Sequence, residues 1–500
     1  MLRSAADPSR GVRAACEGVV ALDARLESWQ RRLCDDPDLV LELMRAHGSP
    51  VNLIDTRPMA RNAAELMRAA SLAGVPLTIH FARKANKALA LVDEARRLGL
   101  GIDLASEREI AQVLARGVPG EALIMTAAVK SAALLELCVR SGTIIVLDNR
   151  DELRAVGSLA GRLRRDAIVA LRLSPDLGPD RPPSRFGFEA SDAVAVAGDP
   201  WPAAVRLDGV HFHLDGYDPD DRIRVMAQAF DLVDGLREAG HCPRFVDMGG
   251  GIPMSYLDSA GQWARFWHEH REALRGRRDP ITFGNHGLGL IAHRDEVVGA
   301  PAVYPYHQQL VRGPWLTRVL RGRVPGARGD GTVAAGLLSR DLALRCEPGR
   351  ALLDGCGLTA ARVAYRKRRR DGAWLIGVEM NRTQCRSTSE DFLVDPLLLR
   401  PDSADVTVDG DEASLGPIEG FLVGAYCIER ELLTWRRLRF PAGVRTGDMV
   451  VLPNTAGYLM HIVESSSHQM PLARNLILAP DGPPVLDAID ALGEARGLSD

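Results

Sequence analysis

The sequence predicts an α/β protein: a parallel (β/α)8 TIM-type barrel followed by an all-β domain. Short apolar strands alternate with amphipathic helices over about 300 residues, and eight such strands match the count of this barrel. After Arg350 the helix pattern stops, and short strands are separated by Gly, Pro, Asp and Ser turns. The chain has 500 residues with 46% hydrophobic and 25% charged content, enough for two or three globular domains.

The predicted barrel strands are apolar runs that end in polar or glycine residues. In order they are Thr78–Ala82, Gly101–Ala105, Leu123–Ala127, Ile144–Asp148, Ile168–Leu173, Gly209–Leu214, Phe245–Gly249 and Leu342–Glu347. An open doubly wound sheet is the alternative. The third spaced glycine of a dinucleotide fingerprint is missing after the triplet that ends at Gly251, which disfavours that alternative.

Three segments follow from these patterns. Residues 1–48 form a charged, mildly helical lead-in that we expect to pack on the β domain, residues 49–345 form the barrel, and residues 346–500 form the β domain. The predicted strands of the β domain are Val363–Tyr365, Trp374–Val378, Asp405–Val408, Gly420–Gly424, Met449–Pro453, Leu459–Val463 and Asn475–Leu478.

The connection between the last two barrel strands is unusually long. It predicts an insert at about 259–340, because a short loop and one helix ordinarily suffice there. The insert starts at the rim where such barrels carry their active sites. A lid or substrate-recognition element and a plain surface excursion are both open interpretations.

Charge and cysteine usage exclude several classes of protein. The formal net charge of -3 gives no electrostatic reason to expect nucleic acid or a membrane surface as partner. The basic run 366–370 precedes Asp371-Gly372, which predicts a solvated hairpin turn. Eight cysteines without a CxxC pair indicate neither a zinc site nor a disulfide framework. We therefore expect no metal, and a cytoplasmic protein without signal peptide or membrane span.

Lys84 directly follows the first predicted strand. A lysine at the end of a buried strand loses water, which favours the neutral amine that can attack a carbonyl and form a Schiff base. Taken alone, Lys84 would more often be a surface lysine that opens the next helix. Other polar and glycine residues fall at the same ends of their strands: Asp103, Glu109, Arg172, His213, Gly249, Gly250, Gly251, Glu347 and Arg350. Their clustering at one barrel rim favours a catalytic role.

The glycine triplet 249–251 lets backbone N–H groups approach an anion closely. Arg350 can add a fork of charged donors to a phosphate. A plain tight turn and a surface arginine are the alternatives for these residues.

The motifs that carry chemistry resemble one known family. In order they read Phe-Ala-Arg-Lys-Ala-Asn (81–86), Gly-Ile-Asp-Leu-Ala-Ser-Glu-Arg-Glu (101–109), His-Phe-His (211–213), Asp-Met-Gly-Gly-Gly (247–251), Glu-Pro-Gly-Arg (347–350), Tyr-Cys (426–427) and Ala-Gly-Tyr (456–458). This order resembles the fold-type III pyridoxal-phosphate decarboxylases, which include diaminopimelate, ornithine and arginine decarboxylases. The resemblance runs from about Ser49 to about residue 480 and implies an alanine-racemase-like barrel.

The resemblance implies pyridoxal 5'-phosphate as cofactor and a role for each matching residue. Lys84 would form the Schiff base, His213 would stack on the cofactor ring, and Glu347 would pair with the pyridine nitrogen so that the ring acts as an electron sink. The remaining cofactor-binding positions divide into a phosphate group, Gly249, Gly250, Gly251, Arg350 and Tyr458, and a group near the lysine and ring, Asp103, Glu109 and Arg172.

Cys427 matches a cysteine that the partner subunit supplies in this family, where it is implicated in protonating the carbanionic intermediate. That role implies a homodimer with shared active sites. The chain departs from the family pattern at Gly216, where a serine is usual, and at Ile428, where an acidic residue contacts the substrate. An amino-acid substrate is implied, and its candidate contacts are Glu429, Glu431, His286, Tyr306 and His307.

Two other functions remain open on the same fold. One is an amino-acid racemase or epimerase; such enzymes tend to place an arginine opposite the pyridine nitrogen, so Glu347 favours decarboxylation. The other is a non-catalytic, cofactor-binding homologue, which the changes at Gly216 and Ile428 permit.

Overall fold

The computed structural model describes residues 13–324, 331–388, 390, 392–402, 416–479 and 482–494. The chain divides into two compact units, each discontinuous in sequence. The barrel unit comprises Met59–Pro253 and Leu310–Leu352, and the β unit comprises the described parts of Met1–Pro58, Met254–Gln309 and Leu353–Asp500. Within the described ranges, no helix combines the length and apolar character needed to cross a membrane.

Eight parallel strands form a closed barrel in the barrel unit. They are β1 (Leu77–Ala82), β2 (Gly101–Leu104), β3 (Leu123–Met125), β4 (Ile144–Leu147), β5 (Ala167–Arg172), β6 (Val205–His211), β7 (Phe245–Asp247) and β8 (Ala343–Cys346). Strand β8 pairs with both β7 and β1, which closes the barrel. The predicted fold class is confirmed, and the open-sheet alternative is excluded.

Helices follow the barrel strands as the sequence pattern predicts. The helices of this unit are Pro58–Leu72, Leu89–Arg97, Glu107–Ala115, Ala132–Ser141, Arg150–Leu163, Ala190–Gly198, Pro219–Glu238, Arg312–Leu320 and Val333–Leu338. The caps Ser106, Ser131 and Asn149 each accept a backbone N–H three residues later, which begins their helices soon after the strand ends. Polar side chains are thereby placed at the carboxyl ends of the strands.

A mixed sheet organises the β unit. Its strands are Glu17–Gly18, Val51–Ile54, Gly357–Arg368, Trp374–Val378, Leu397–Leu399, Ile418–Val423, Leu438–Phe440, Met449–Pro453, Arg474–Ile477 and Val485–Leu486. A separate two-stranded hairpin pairs Leu290–His293 with Glu296–Gly299. The helices of the β unit are Ser28–Cys34, Pro37–His47, Ala260–Leu274 and Ala488–Glu494. Residues of the first two helices, including Trp29 and Met44, share a core with Leu53, Leu358 and Val451.

The structure moves two predicted segment boundaries. The run Val51–Ile54 was assigned to the barrel segment, but it pairs with Gly357–Ala360 and lies in the β unit. Of the predicted insert at about 259–340, residues 259–309 lie in the β unit and the described residues from 310 onward lie in the barrel unit. The helices Arg312–Leu320 and Val333–Leu338 belong to the barrel unit. Short apolar runs show which residues are buried, but they do not specify the sheet that buries them.

One predicted β-domain strand is wrong. Leu459–Val463 forms successive turns, in which the N–H groups of His461 and Ile462 both donate to Tyr458 O. The predicted strand Asp405–Val408 lies outside the described residues. The basic run 366–370 spans the end of Gly357–Arg368 and the turn to Trp374–Val378, so it lies on a β-hairpin.

Candidate active site

Lys84 lies in a single 3-10 turn directly after β1. Its Nζ lies 2.8 Å from Oδ2 of Asp103 in β2, and Thr126 Oγ1 donates a 2.5 Å hydrogen bond to the other oxygen of Asp103. The Asp103 side chain is 1% exposed and that of Lys84 is 34% exposed. The expected loss of water from the lysine is therefore only partial, and the buried carboxylate stabilises the ammonium form.

A second, fully buried group of polar side chains lies at the ends of the last three strands. His211 ends β6, Asp247 ends β7 and Glu347 follows β8. His211 Nε2 lies 3.1 Å from Glu347 Oε1, and one potential ligand atom from each of the three residues lies within 4.8 Å of the others. The second carboxylate oxygen of Glu347 has no hydrogen-bond partner among the described residues.

Burial decides the charge of this group. It raises the pKa of Asp247 to about 7, with repulsion from Glu347 adding to the effect. It also raises the pKa of Glu347 well above its usual range, with the charge of Asp103 contributing. Burial, together with the smaller effect of the Arg172 charge, lowers the pKa of His211 to about 4. Although the spacing resembles that of a metal site, in the free protein these groups tend to be neutral, and a cation at the open oxygen of Glu347 would favour its carboxylate.

Arg172 ends β5 beside this group. One of its terminal nitrogens, Nη1, lies 3.5 Å from Asp148 Oδ2, and this buried atom makes no hydrogen bond among the described residues. The guanidinium also lies over the Phe186 ring, 4.3 Å from its centroid. Arg172 is thus held by an ion pair and an aromatic face, with a donor still available.

His213 and the glycine triplet form one contact. The Gly250 N–H donates to His213 Nδ1 at 3.2 Å, which leaves the ring proton on Nε2. Burial, followed by the nearby charges of Arg222 and Lys84, lowers the pKa of His213 well below its ordinary value. His213 is therefore neutral near pH 7 and presents a flat ring.

The glycines are required by close backbone approaches. Gly249 and Gly251 have left-handed backbones, with φ of 67° and 74°. A Cβ on Gly249 would lie 2.6 Å from Phe212 O, and one on Gly250 would lie 2.9 Å from Glu347 O. The N–H groups of Gly251 and Ile252 donate to no acceptor in the described part of the chain. Two backbone donors are therefore available at a strand end.

Glu109 and Arg350 complete the predicted residues of the barrel unit. Glu109 Oε2 accepts the Ala105 N–H at 2.7 Å, and the Glu109 N–H donates to Ser106 Oγ at 3.2 Å. The Ser106 hydroxyl thus caps the helix Glu107–Ala115, and the Glu109 carboxylate holds the N–H of the residue before that cap. Burial raises the pKa of Glu109. Arg350 is 8% exposed and lies three residues after Glu347.

The remaining predicted site residues lie in the β unit. Cys427 and Glu429 are exposed, whereas Glu431 is 3% exposed and accepts the Arg382 N–H at 2.7 Å. Burial raises the pKa of Glu431. Tyr458 has a left-handed backbone with φ of 72°.

The predicted insert residues differ in their surroundings. His286 stacks on Trp435 with ring centroids 3.9 Å apart, and its Nε2 lies 3.3 Å from Glu390 Oε2. Tyr306 is fully buried, and its hydroxyl accepts the Phe392 N–H at 2.9 Å. His307 is half-buried. Tyr306 therefore anchors the segment within the β unit, which disfavours its role as a direct substrate contact.

Several contributing residues escaped the sequence analysis, among them His211, Asp247, Asp148 and Thr126. A signal for His211 was available: it lies two positions before His213 in an extended run, and residues at that spacing point to the same side of a strand. Asp148 likewise ends a predicted strand, and Asp247 lies inside the predicted strand Phe245–Gly249 just before the glycine triplet. Thr126 gave no signal, because an isolated threonine after a strand is common.

The residues present fit the cofactor implied by the motifs. An aldehyde needs a reachable lysine, a protonated ring nitrogen needs a buried acceptor, and a phosphate needs backbone donors. Lys84 supplies the first, the open oxygen of Glu347 supplies the second, and the unpaired N–H groups of Gly251 and Ile252 supply the third. His213 offers a neutral ring for stacking.

Comparisons with known proteins point to the same cofactor. Residues 60–289 match the family model described as pyridoxal-dependent decarboxylase, pyridoxal binding domain. The uncharacterized protein y4yA of Sinorhizobium fredii is 31% identical over 469 residues, covering 91% of this chain and 93% of that protein. Diaminopimelate decarboxylase of Archaeoglobus fulgidus is 27% identical over 232 residues, which span 43% of this chain and 54% of the enzyme.

The fold has close counterparts among solved structures. The crystal structure of diaminopimelate decarboxylase from M. jannaschii superposes with a TM-score of 0.66 at 17% identity, covering 89% of this chain and 90% of that one. At this identity the likeness concerns the fold. The shared fold is consistent with the two sequence comparisons, the near full-length relative and the matched cofactor-binding domain. The chain therefore belongs to the fold-type III family of pyridoxal-phosphate-dependent decarboxylases, and its cofactor is pyridoxal 5'-phosphate.

Proposed function

We propose that this protein decarboxylates an amino acid or amino-acid-like acid, with Lys84 holding the cofactor. The observation that carries the proposal is the pairing of two different carboxylates at one barrel rim. Asp103 contacts the Lys84 amine at 2.8 Å, and one oxygen of Glu347 has no hydrogen-bond partner among the described residues. A lysine for attachment and a carboxylate for the ring nitrogen are what a strong electron sink requires.

Lys84 is the better of the two lysines at this rim. The other, Lys130, has a fully buried side chain whose Nζ lies 3.0 and 3.1 Å from the two oxygens of Glu152 and 3.7 Å from Asp148. The contacts with these two carboxylates keep the Lys130 amine away from solvent. Lys84, with 34% of its side chain exposed, can reach a cofactor.

The bound cofactor supplies an electron sink for the negative charge left on Cα when the carboxylate departs. The protein's own residues hold the charges around it. Asp103 Oδ2 is positioned to take the proton from Lys84 Nζ, which leaves a neutral amine able to attack. Glu347, as a carboxylate, would accept a hydrogen bond from the ring nitrogen and would favour its protonated form. His213, held by the Gly250 N–H, would cover one face of the cofactor ring and exclude water from it.

The proton returned to Cα comes, in this proposal, from Cys427 of a second subunit. Its thiol is exposed on the β unit and therefore accessible to a partner. The family resemblance supports a homodimer with shared active sites. Ile428, next to it, replaces the acidic substrate contact of the family, so the side-chain specificity differs from that of the decarboxylases acting on basic amino acids.

The reaction is tested by incubating the cofactor-loaded protein with a panel of L- and D-amino acids and derivatives. Released CO2 and loss of chirality are measured in parallel. We expect CO2 with formation of an amine, and a much lower rate for Cys427→Ala. Racemisation without CO2 would favour the racemase alternative. Bound cofactor without turnover of any compound would favour a non-catalytic homologue.

A further inference from the structure

Arg222 is a fully buried arginine beneath the glycine triplet. It lies near the start of the helix Pro219–Glu238. Its Nη1 donates to Met248 O at 2.8 Å, and its Nη2 donates to Gly250 O at 2.7 Å. The same Nη2 lies 3.4 Å from both Leu214 O and Gly216 O. One side chain thus ties the loop after β6 to the loop after β7.

Within the described residues, no carboxylate forms an ion pair with Arg222. The partners of its guanidinium are four backbone carbonyls. Burial lowers its pKa to about 10, so the side chain remains cationic at neutral pH. A buried cation without a counter-ion is costly, and an anion nearby would relieve that cost.

The contacts of Arg222 also fix the direction of the free backbone donors. In a trans peptide the C=O and N–H groups point in opposite directions. Since the Gly250 carbonyl points at Arg222, the N–H of Gly251 in the same peptide points away from it. That N–H is one of the two unpaired donors of the loop. A Cβ on Gly251 would lie only 2.1 Å from Arg222 Nη2, so the arginine and the glycine require each other.

We propose that Arg222 is a positioning residue for the cofactor phosphate. It holds the carbonyls of Leu214, Gly216, Met248 and Gly250 so that the Gly251 N–H faces the phosphate, and it supplies the buried positive charge that the phosphate neutralises. This inference rests on the cofactor site described above. Gly216, which has lost the serine hydroxyl usual in the family, is one of the residues that Arg222 contacts. Arg222 therefore contacts the position at which this chain lacks the serine hydroxyl donor.

The test separates the phosphate from the rest of the cofactor. The dissociation constants of the apoprotein for pyridoxal 5'-phosphate and for pyridoxal, which lacks the phosphate, are measured for the wild type, Arg222→Met and Arg222→Lys. For Arg222→Met we expect affinity for pyridoxal 5'-phosphate to fall about tenfold or more, and affinity for pyridoxal to change less than about twofold. Arg222→Lys retains the positive charge but lacks the planar guanidinium that donates to several carbonyls at once. We therefore expect an intermediate loss of affinity for pyridoxal 5'-phosphate.

Arg340→Met is the matched control. Arg340 is also a buried arginine of the barrel unit, but it pairs bidentately with Asp234 before the start of β8. The Arg340→Met variant should have the wild-type ratio of affinities for pyridoxal 5'-phosphate and pyridoxal. Equal losses for both ligands in the Arg222 variants, or no loss for either, would overturn the proposal.

Two further readouts keep the test decisive. If Arg222→Met does not fold, the affinity ratio of Arg222→Lys decides. In addition, inorganic phosphate should raise the melting temperature of the wild-type apoprotein more than that of Arg222→Lys, and an equal rise in both would contradict the proposal. Because all of these are binding measurements, a protein that binds the cofactor but releases no CO2 would refute the proposed function and leave this inference standing.

Discussion

Asp103 and Glu347 are two carboxylates of one barrel rim with almost equal burial, 1% and 2% exposed, yet they have opposite partners. Asp103 contacts the Lys84 ammonium and the Thr126 hydroxyl. Glu347 contacts the neutral imidazole of His211, and burial raises its pKa well above the usual range. The difference teaches that the partner in direct contact, rather than depth, distinguishes the two carboxylates. Among the described residues, Glu347 forms no ion pair with a lysine or arginine, and the more distant charges of Lys84, Arg172 and Arg222 only partly offset the effect of burial on its pKa.

Glu347→Gln should give the largest effect. Glutamine keeps the size of the side chain but cannot stabilise a protonated ring nitrogen, so we expect kcat to fall on the order of 10²–10³-fold. Steady-state kinetics and the absorbance of bound cofactor are the measurements. Glu419→Gln, at an exposed ion pair with Arg439, is the control and should have wild-type activity. An unchanged kcat in Glu347→Gln would remove the proposed role of this residue.

Asp103→Asn should give a smaller loss. Asparagine keeps a hydrogen-bonding oxygen near Lys84 Nζ but cannot accept its proton, so we expect the cofactor to attach to the apoprotein more slowly, by roughly 10–100-fold. The time course of the absorbance change after mixing is the measurement. Attachment at the wild-type rate would show that the Lys84 proton leaves by another route.

Asp247→Asn tests the neutral character of the buried group through pH. The native pKa of Asp247 is raised to about 7, whereas an unfolded aspartate titrates near 3.9, so the native apoprotein keeps a proton that the unfolded chain releases. The contribution to the free energy of unfolding is therefore full at low pH and is lost as the pH rises toward 7. We expect roughly 2 kcal/mol of this loss between pH 5 and 7.

The measurement is denaturant unfolding of wild-type and Asp247→Asn apoprotein across that range. The difference between the two proteins matters, because buried His211 acts in the opposite direction: its pKa is lowered to about 4, so its stabilising contribution is lost as the pH falls below 6.5. Parallel pH profiles for the two proteins would contradict the account.

The sequence predicted all eight barrel strands because each is an apolar run between polar boundaries, and because helix caps such as Ser106 mark the following helices. It placed Lys84, Glu347 and the glycines at one rim from strand ends alone. It could not assign Val51–Ile54 to its sheet, since pairing with residues 357–360 is a long-range choice. Arg222 also escaped prediction, because its role depends on carbonyls brought near it by two separate loops.

The most direct test of the central claim is to locate the lysine that carries the cofactor. The sequence contains four lysines, at positions 84, 87, 130 and 367. Borohydride reduction of the loaded protein makes the lysine–cofactor bond permanent, and peptide mass spectrometry then identifies the labelled residue. We predict label on Lys84, with none on Lys130, whose amine is held by Glu152. Label on another lysine, or a Lys84→Ala variant that keeps the yellow absorbance, would contradict the account.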